Sequence, residues 1–164
     1  MIQRLLRHLF PPSAQRLFPA ASLQRIAAAI ADSELRHRGE ICFAVEPALP
    51  PLAVLRGADA RARAHEVFVQ LRVWDTEANN GVLLYLLLAD HRIEIVADRG
   101  FAGKVDDEQW RGVCHLIEER LREGEPEAAV LRGVEALSAL LTLHFPRAGD
   151  DRDVNELPDR PHLL

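Results

Sequence analysis

Three stretches of this chain carry side chains that could do chemistry together. Asp75, Thr76, Asn79, Asn80 and Gly81 lead into an apolar run. Asp98, Arg99 and Gly100 follow a second run, and Asp106 and Asp107 open a helical pattern soon after. Amide and carboxylate oxygens are the hard ligands that calcium and magnesium take. On that reading Asp98, Asp106 and Asn80 are the metal ligands, and Thr76, Asn79, Gly81, Arg99, Gly100 and Asp107 complete a ligand-binding corner. The cation would polarise a phosphoryl oxygen or activate water, and Arg99 would hold the phosphate. Two close carboxylates could also exchange a proton with substrate. Each group has a plainer role as well. Asn79-Asn80-Gly81 suits a turn, Asp98-Arg99 a surface ion pair, and Asp106 and Asp107 the cap of a helix. Spacing alone favours these plainer roles.

Whether the three stretches meet depends on a hairpin. Gly81–Ala89 is apolar at every position, as in a central strand covered on both faces. Residues 92–97 alternate, with Ile93, Ile95 and Ala97 on one side, as in a strand nearer an edge. A two-residue turn at Asp90-His91 pairs Ala89 with Arg92. Counting outward, Leu83 then lies opposite Asp98 and Gly81 opposite Gly100, so the polar stretches gather at one edge of the sheet. The other end, near Glu46, Asp90 and His91, is the weaker candidate, because ligands of open α/β sheets favour the carboxyl ends of parallel strands and only two strands here are parallel.

Other catalytic patterns are missing from the sequence. It has no HExxH zinc helix, no GxxxxGK phosphate loop and no GxSxG elbow. Gly100 and Gly103 fall short of a dinucleotide fingerprint. Cys42 and Cys114 sit in apolar surroundings without CxxC spacing, so they read as core thiols in a reducing compartment, the cytoplasm. Trp74 and Trp110 read as large core residues with a wet edge, and Glu118-Glu119 as a solvated helix face.

The elements that position these residues follow from periodicity. Pro11-Pro12 ends a short amphipathic start. Helical spacing then runs from Leu23 to Leu35, with Ser22 as N-cap and Gly39 beyond the end. Glu40–Glu46 reads as a buried strand, and Pro47, Pro50 and Pro51 as a stiff loop. A second helix runs from Asp59 to about Val73. Asp106 and Gln109 form a capping box, with Val105 and Trp110 at the staple positions, opening a third helix that ends near Gly124. A fourth starts near Pro126 and stops at His144-Phe145-Pro146. The tail, 147–164, is rich in charge and proline and is expected to be irregular, with Val154 to Pro158 packing back on the domain. The order α-β-α-β-β-α-α predicts a three-layer α/β/α sandwich. Its small mixed sheet joins a parallel βαβ unit to an antiparallel hairpin.

Composition sets the outer bounds. The formal net charge of −5 argues against a nucleic-acid partner. No run is long enough to span a membrane, and the start lacks the apolar core and cleavage site of a secretory signal. Arg4, Arg7 and His8 among Leu5, Leu6, Leu9 and Phe10 make a basic amphipathic segment. It is expected to pack on its own domain, with contact at a membrane surface as the alternative.

Residues 73–90, Val-Trp-Asp-Thr-Glu-Ala-Asn-Asn-Gly-Val-Leu-Leu-Tyr-Leu-Leu-Leu-Ala-Asp, closely resemble the central motif of the TPM domain family. So do Ile93–Gly100 with Trp110 after it, Arg38–Glu46, His144–Pro146 and Asn155–Asp159. The last two match the short bacterial branch. The resemblance covers almost the whole chain from Phe18, with residues 1–17 as an appended segment, 18–146 as the domain and 147–164 as its tail. It implies an α/β/α sandwich and places the family's polar motif on Thr76, Asn80, Gly81, Asp98 and Gly100. Some relatives are described as acid phosphatases and some as calcium-binding; others act in photosystem repair or beside membrane receptors. Asp98-Arg99-Gly100 stands where longer members more often carry a Gly-Tyr-Gly-type segment, and Ala20-Ala21 where many carry an acidic residue. Two functions are therefore expected. The first is a non-catalytic accessory module that binds a protein partner, a membrane protein included, in membrane-protein maintenance. The alternative is a calcium or magnesium site with phosphomonoester hydrolysis.

Overall fold

The computed structural model describes residues 2–147 and 155–164. In chain order the elements are α1 (Ile2–Leu9), α2 (Ala14–Leu17), α3 (Ala20–Glu34), β1 (Glu40–Glu46), α4 (Pro51–Leu55), α5 (Ala60–Gln70), β2 (Gly81–Leu87), β3 (Arg92–Ala97), α6 (Asp107–Arg122), α7 (Pro126–His144) and β4 (His162–Leu163). Among the described residues these build one sheet in the order β3-β2-β1-β4. β1 runs parallel to both β2 and β4, and β2 antiparallel to β3.

The apolar run of β2 is central, and every residue of it is buried. Its pleat separates two cores. Val82, Leu84 and Leu86 face one layer, where Ile26 and Ile30 of α3, Ile117 of α6 and Leu137 and Leu141 of α7 meet them. Leu83, Tyr85 and Leu87 face the other, with Val54 of α4 and Ala64, Val67 and Phe68 of α5. Each leucine so buried contributes about 1.5–3 kcal/mol. The α/β/α sandwich and the mixed sheet are thus as expected from the sequence. The capping box of α6 is formed in both directions between Asp106 and Gln109.

Several details differ from the sequence reading. Leu87, not Ala89, pairs with Arg92, so four residues link the strands and the register shifts by two, with Asp98 opposite Gly81. The reason is competition from β1: the Leu88 and Ala89 N–H groups donate to the carbonyls of Glu46 and Pro47. His91 closes the loop in the left-handed region at φ 50. Ser22 lies buried inside α3, whose N-cap is Pro19. The expected stiff loop contains α4, started by Pro51 at the first turn. Trp74 is half exposed beneath the guanidinium of Arg72 rather than in the core. The tail is not wholly irregular: β4 adds an edge strand and Leu157 is buried. Val154 lies outside the described residues.

Candidate functional site

The predicted corner forms through backbone contacts. The loop before β2 turns at Asn79, which takes the left-handed φ of 53 that asparagine tolerates. Gly100 N–H donates to the Asn79 carbonyl at 2.9 Å, and Asp98 N–H to the Gly81 carbonyl at 2.9 Å. Both glycines are required by close approach. A Cβ at Gly81 would overlap the Val73 carbonyl oxygen, and one at Gly100 the Asn79 carbonyl oxygen.

The side chains mostly hold this loop cluster together. Buried Thr76 accepts from Asn80 N–H through Oγ1 at 3.1 Å. Buried Asn80 donates its amide to the Arg38 carbonyl. Arg99 donates through Nε to Asn79 Oδ1 at 2.6 Å. Asp98 Oδ1 accepts from Arg99 N–H at 2.7 Å and caps the 3-10 turn over Arg99–Phe101. Thr76, Asn79, Asn80, Gly81, Asp98, Arg99 and Gly100 are therefore brought together. Asp106 sits in its capping box, with Oδ1 on Gln109 N–H at 2.8 Å, and Asp107 lies in the exposed first turn of α6. The pleat sends Asn80 toward the α3/α6/α7 layer and Asp98, opposite Gly81, toward the α5 layer. Asn80 Oδ1 and Asp98 Oδ2 are buried without a hydrogen-bond partner among the described residues. Among the described residues, no group of three or more His, Cys, Asp or Glu is arranged to hold a metal ion.

The C-terminal tail completes the corner. Glu156 accepts from Glu77 N–H with both oxygens, at 3.2 and 2.9 Å. Leu157 N–H donates to Glu40, a buried carboxylate, at 3.1 Å. Beside them, burial pushes the Glu34 carboxyl up to about 9, reinforced by Glu40 and Asp159, although Ile41 N–H donates to it. Sequence reasoning passed over Glu34, Glu40, Glu156 and Asp159 as a group. The available signal was the acidic Asn155–Asp159 segment, together with its expected return to the domain.

The opposite end of the sheet is built from charge pairs instead. Glu46 is 7% exposed and receives Arg63 through two hydrogen bonds, at 2.9 and 3.1 Å, and the Tyr85 hydroxyl at 2.6 Å. Burial, then that carboxylate, pushes the Tyr85 hydroxyl well above the usual phenol range. Asp90 receives Nε and Nη2 of Arg4, the shortest contact being 2.7 Å. Burial opposes the Asp90 charge, but Arg4 and His8 outweigh it and hold the carboxyl below its ordinary value. His8 is buried, and its Nδ1 accepts from Leu49 N–H at 2.9 Å. That bond assigns the ring proton to Nε2, 3.1 Å from Asp90 Oδ1.

These contacts dock α1 by its polar side. Arg4, Leu5 and His8 face the domain, whereas Ile2, Leu6, Leu9 and Phe10 face out. A surface helix ordinarily buries its apolar stripe; here the stripe is presented to solvent. Leu52 and Leu55 of α4, which packs against α1, are exposed too. Neither thiol is an activated nucleophile, since burial pushes Cys42 up to about 12 and Cys114 up to about 11.

The chain is similar to a solved structure, the NMR structure of the BA42 protein from the psychrophilic bacterium Bizionia argentinensis. Sequence identity is 27%, the TM-score is 0.80, and the match covers 93% of this chain and 99% of that one. No curated protein matches. No helix among the described residues is long and apolar enough to cross a membrane. The TPM domain family matches residues 13–140, well over half of the chain, and with the polar corner and the sandwich in place the chain belongs to that family.

Proposed function

We propose that this chain is an accessory module that works by binding at membrane-associated partners, with the α1/α4 face as its contact surface. One observation carries this reading: α1 is pinned to the domain by Arg4 and His8 and turns Ile2, Leu6, Leu9 and Phe10 outward. Contiguous exposed apolar residues with polar neighbours mark interaction surfaces. At the polar corner, by contrast, Thr76, Asn79, Asp98 and Asp106 are engaged in turns and caps. The test is capture from a membrane fraction by the wild-type chain and by a Leu6→Asp/Phe10→Asp variant. The expected result is loss of capture in the variant with its melting temperature unchanged. Equal capture by both would contradict the reading.

A second reading places a calcium or magnesium ion at Asp98, with phosphomonoester hydrolysis, and draws support from the buried, unpartnered Oδ2. It predicts that either cation raises the melting temperature and that Asp98→Asn removes both this shift and any turnover of p-nitrophenyl phosphate. An unchanged melting temperature at millimolar metal would dismiss it.

A further inference from the structure

The face formed by α1 and α4 borders a second feature, a cleft of about 360 Å³ between α1, the start of α5 and the β2–β3 loop. Arg4, Arg7, Arg61 and Arg92 line it. Arg4 is committed to Asp90 and the Ala58 carbonyl. Arg61 donates to the Ile95 carbonyl and lies 3.7 Å from Glu94. Arg7 reaches Asp90 only at 3.7 Å with half its side chain exposed, and Arg92 is exposed with no partner among the described residues. The carboxylates in the wall are Asp59, Asp90 and Glu94. Asp59 caps α5 through Ala62 N–H, and Asp90 is held by Arg4 and His8. Arg7 and Arg92 are thus the cations left to meet an anion from outside.

Charge extends the same way along the sequence. Residues 1–13 contain Arg4 and Arg7 and no Asp or Glu; residues 47–58 contain Arg56 and no Asp or Glu. In a chain whose formal net charge is −5 this is a local inversion of sign. On the α1 wheel Arg7 lies between the outward apolar stripe and the cleft, so hydrophobic and cationic groups share one side of the molecule.

We infer that this side docks on an anionic phospholipid bilayer, with Ile2, Leu6, Leu9, Phe10, Leu52 and Leu55 entering the acyl boundary and a lipid phosphate meeting Arg7 and Arg92 at the cleft. The inference rests on the reading of the α1/α4 face given above and names what that face meets first. Interfacial helices bind through buried apolar area together with attraction to anionic headgroups. A helix of eight residues is too short to form alone in water. Here Asp90 and the Leu49 N–H hold it folded beforehand, so the helix backbone need not be ordered on contact.

The test is flotation of the full chain with vesicles of phosphatidylcholine alone or of phosphatidylcholine mixed with phosphatidylglycerol, alongside calorimetric titration with inorganic phosphate. Binding is expected only to the mixed vesicles and should weaken as salt is raised. It should fall about tenfold or more in Arg7→Gln/Arg92→Glu, and equally in Leu6→Asp/Phe10→Asp. All these positions are exposed, and unchanged melting temperatures would show that both variants remain folded. Equal binding to both vesicle types, or to neither, would overturn the inference, as would saturable binding of free phosphate without vesicles. If vesicles are ignored while Leu6→Asp/Phe10→Asp still loses its captured membrane protein, only the lipid assignment falls. If that capture is also unaffected, the contact surface itself is refuted.

Discussion

The two ends of the sheet use polar residues in opposite ways. At the Thr76–Gly81 and Asp98–Gly100 end, side chains bond to nearby backbone, and two glycines let the loops touch. At the other end, Glu46 and Asp90 bind arginines from distant parts of the chain. The first arrangement shapes a corner from the loops themselves. The second fastens separate elements to the domain, α5 through Arg63 and α1 through Arg4 and His8. Fastening α1 by its polar side is what leaves its apolar side outward. An amphipathic helix therefore reads as packing or as docking according to which of its faces finds a partner.

The largest effect that would sharpen this contrast is expected from Glu46→Ala. It strands the buried Tyr85 hydroxyl and unpairs Arg63, and breaking such a pair on one side costs about 3 kcal/mol, measurable by urea denaturation. Next, Gly81→Ala should cost about 2 kcal/mol, because the new methyl meets the Val73 carbonyl oxygen and backbone must move. If Gly81→Ala were neutral, the corner would not be the rigid contact described.

Asp90→Asn should cost about 1–2 kcal/mol and should expose α1 to proteolysis before the rest of the chain unfolds. The Asp90 carboxyl is held below its ordinary value of 3.8, so its contribution is complete above that pH and is lost as pH falls through the lower folded value. An acid titration of stability should therefore be flatter in Asp90→Asn. Glu34 has the reverse sign. Its folded value is raised from 4.5 to about 9, so the native state holds a proton that the unfolded chain releases, and stability declines as pH rises across that window. Glu34→Gln, which keeps an acceptor for Ile41 N–H, should gain about 1 kcal/mol near pH 8 and nothing at pH 4. An unchanged slope would remove the charge cluster under the tail.

Much of this was legible in the sequence wherever the cause is local. The bounds of β1 and β3 and the start of α6 follow from an apolar run, an alternation and a capping box. What was not legible depends on partners far along the chain. The hairpin register shifted by two because Leu88 and Ala89 bond to β1, which no count along β2 and β3 contains. β4 is two residues long and exists only because Ala44 and Val45 offer an edge. The amphipathic character of residues 2–9 was plain, but its orientation is set by Asp90 and by the Leu49 N–H, partners that nothing within residues 2–9 specifies. Likewise, the corner's backbone members were found, whereas Glu156 arrives from the tail.

The most direct test of the central claim is hydrogen–deuterium exchange of the full chain with and without vesicles containing phosphatidylglycerol. Protection confined to Ile2–Leu9 and Pro51–Leu55, with Thr76–Gly81 and Asp98–Gly100 unchanged, is the predicted result. Protection at Thr76–Gly81 and Asp98–Gly100, with α1 and α4 unaltered, would contradict it.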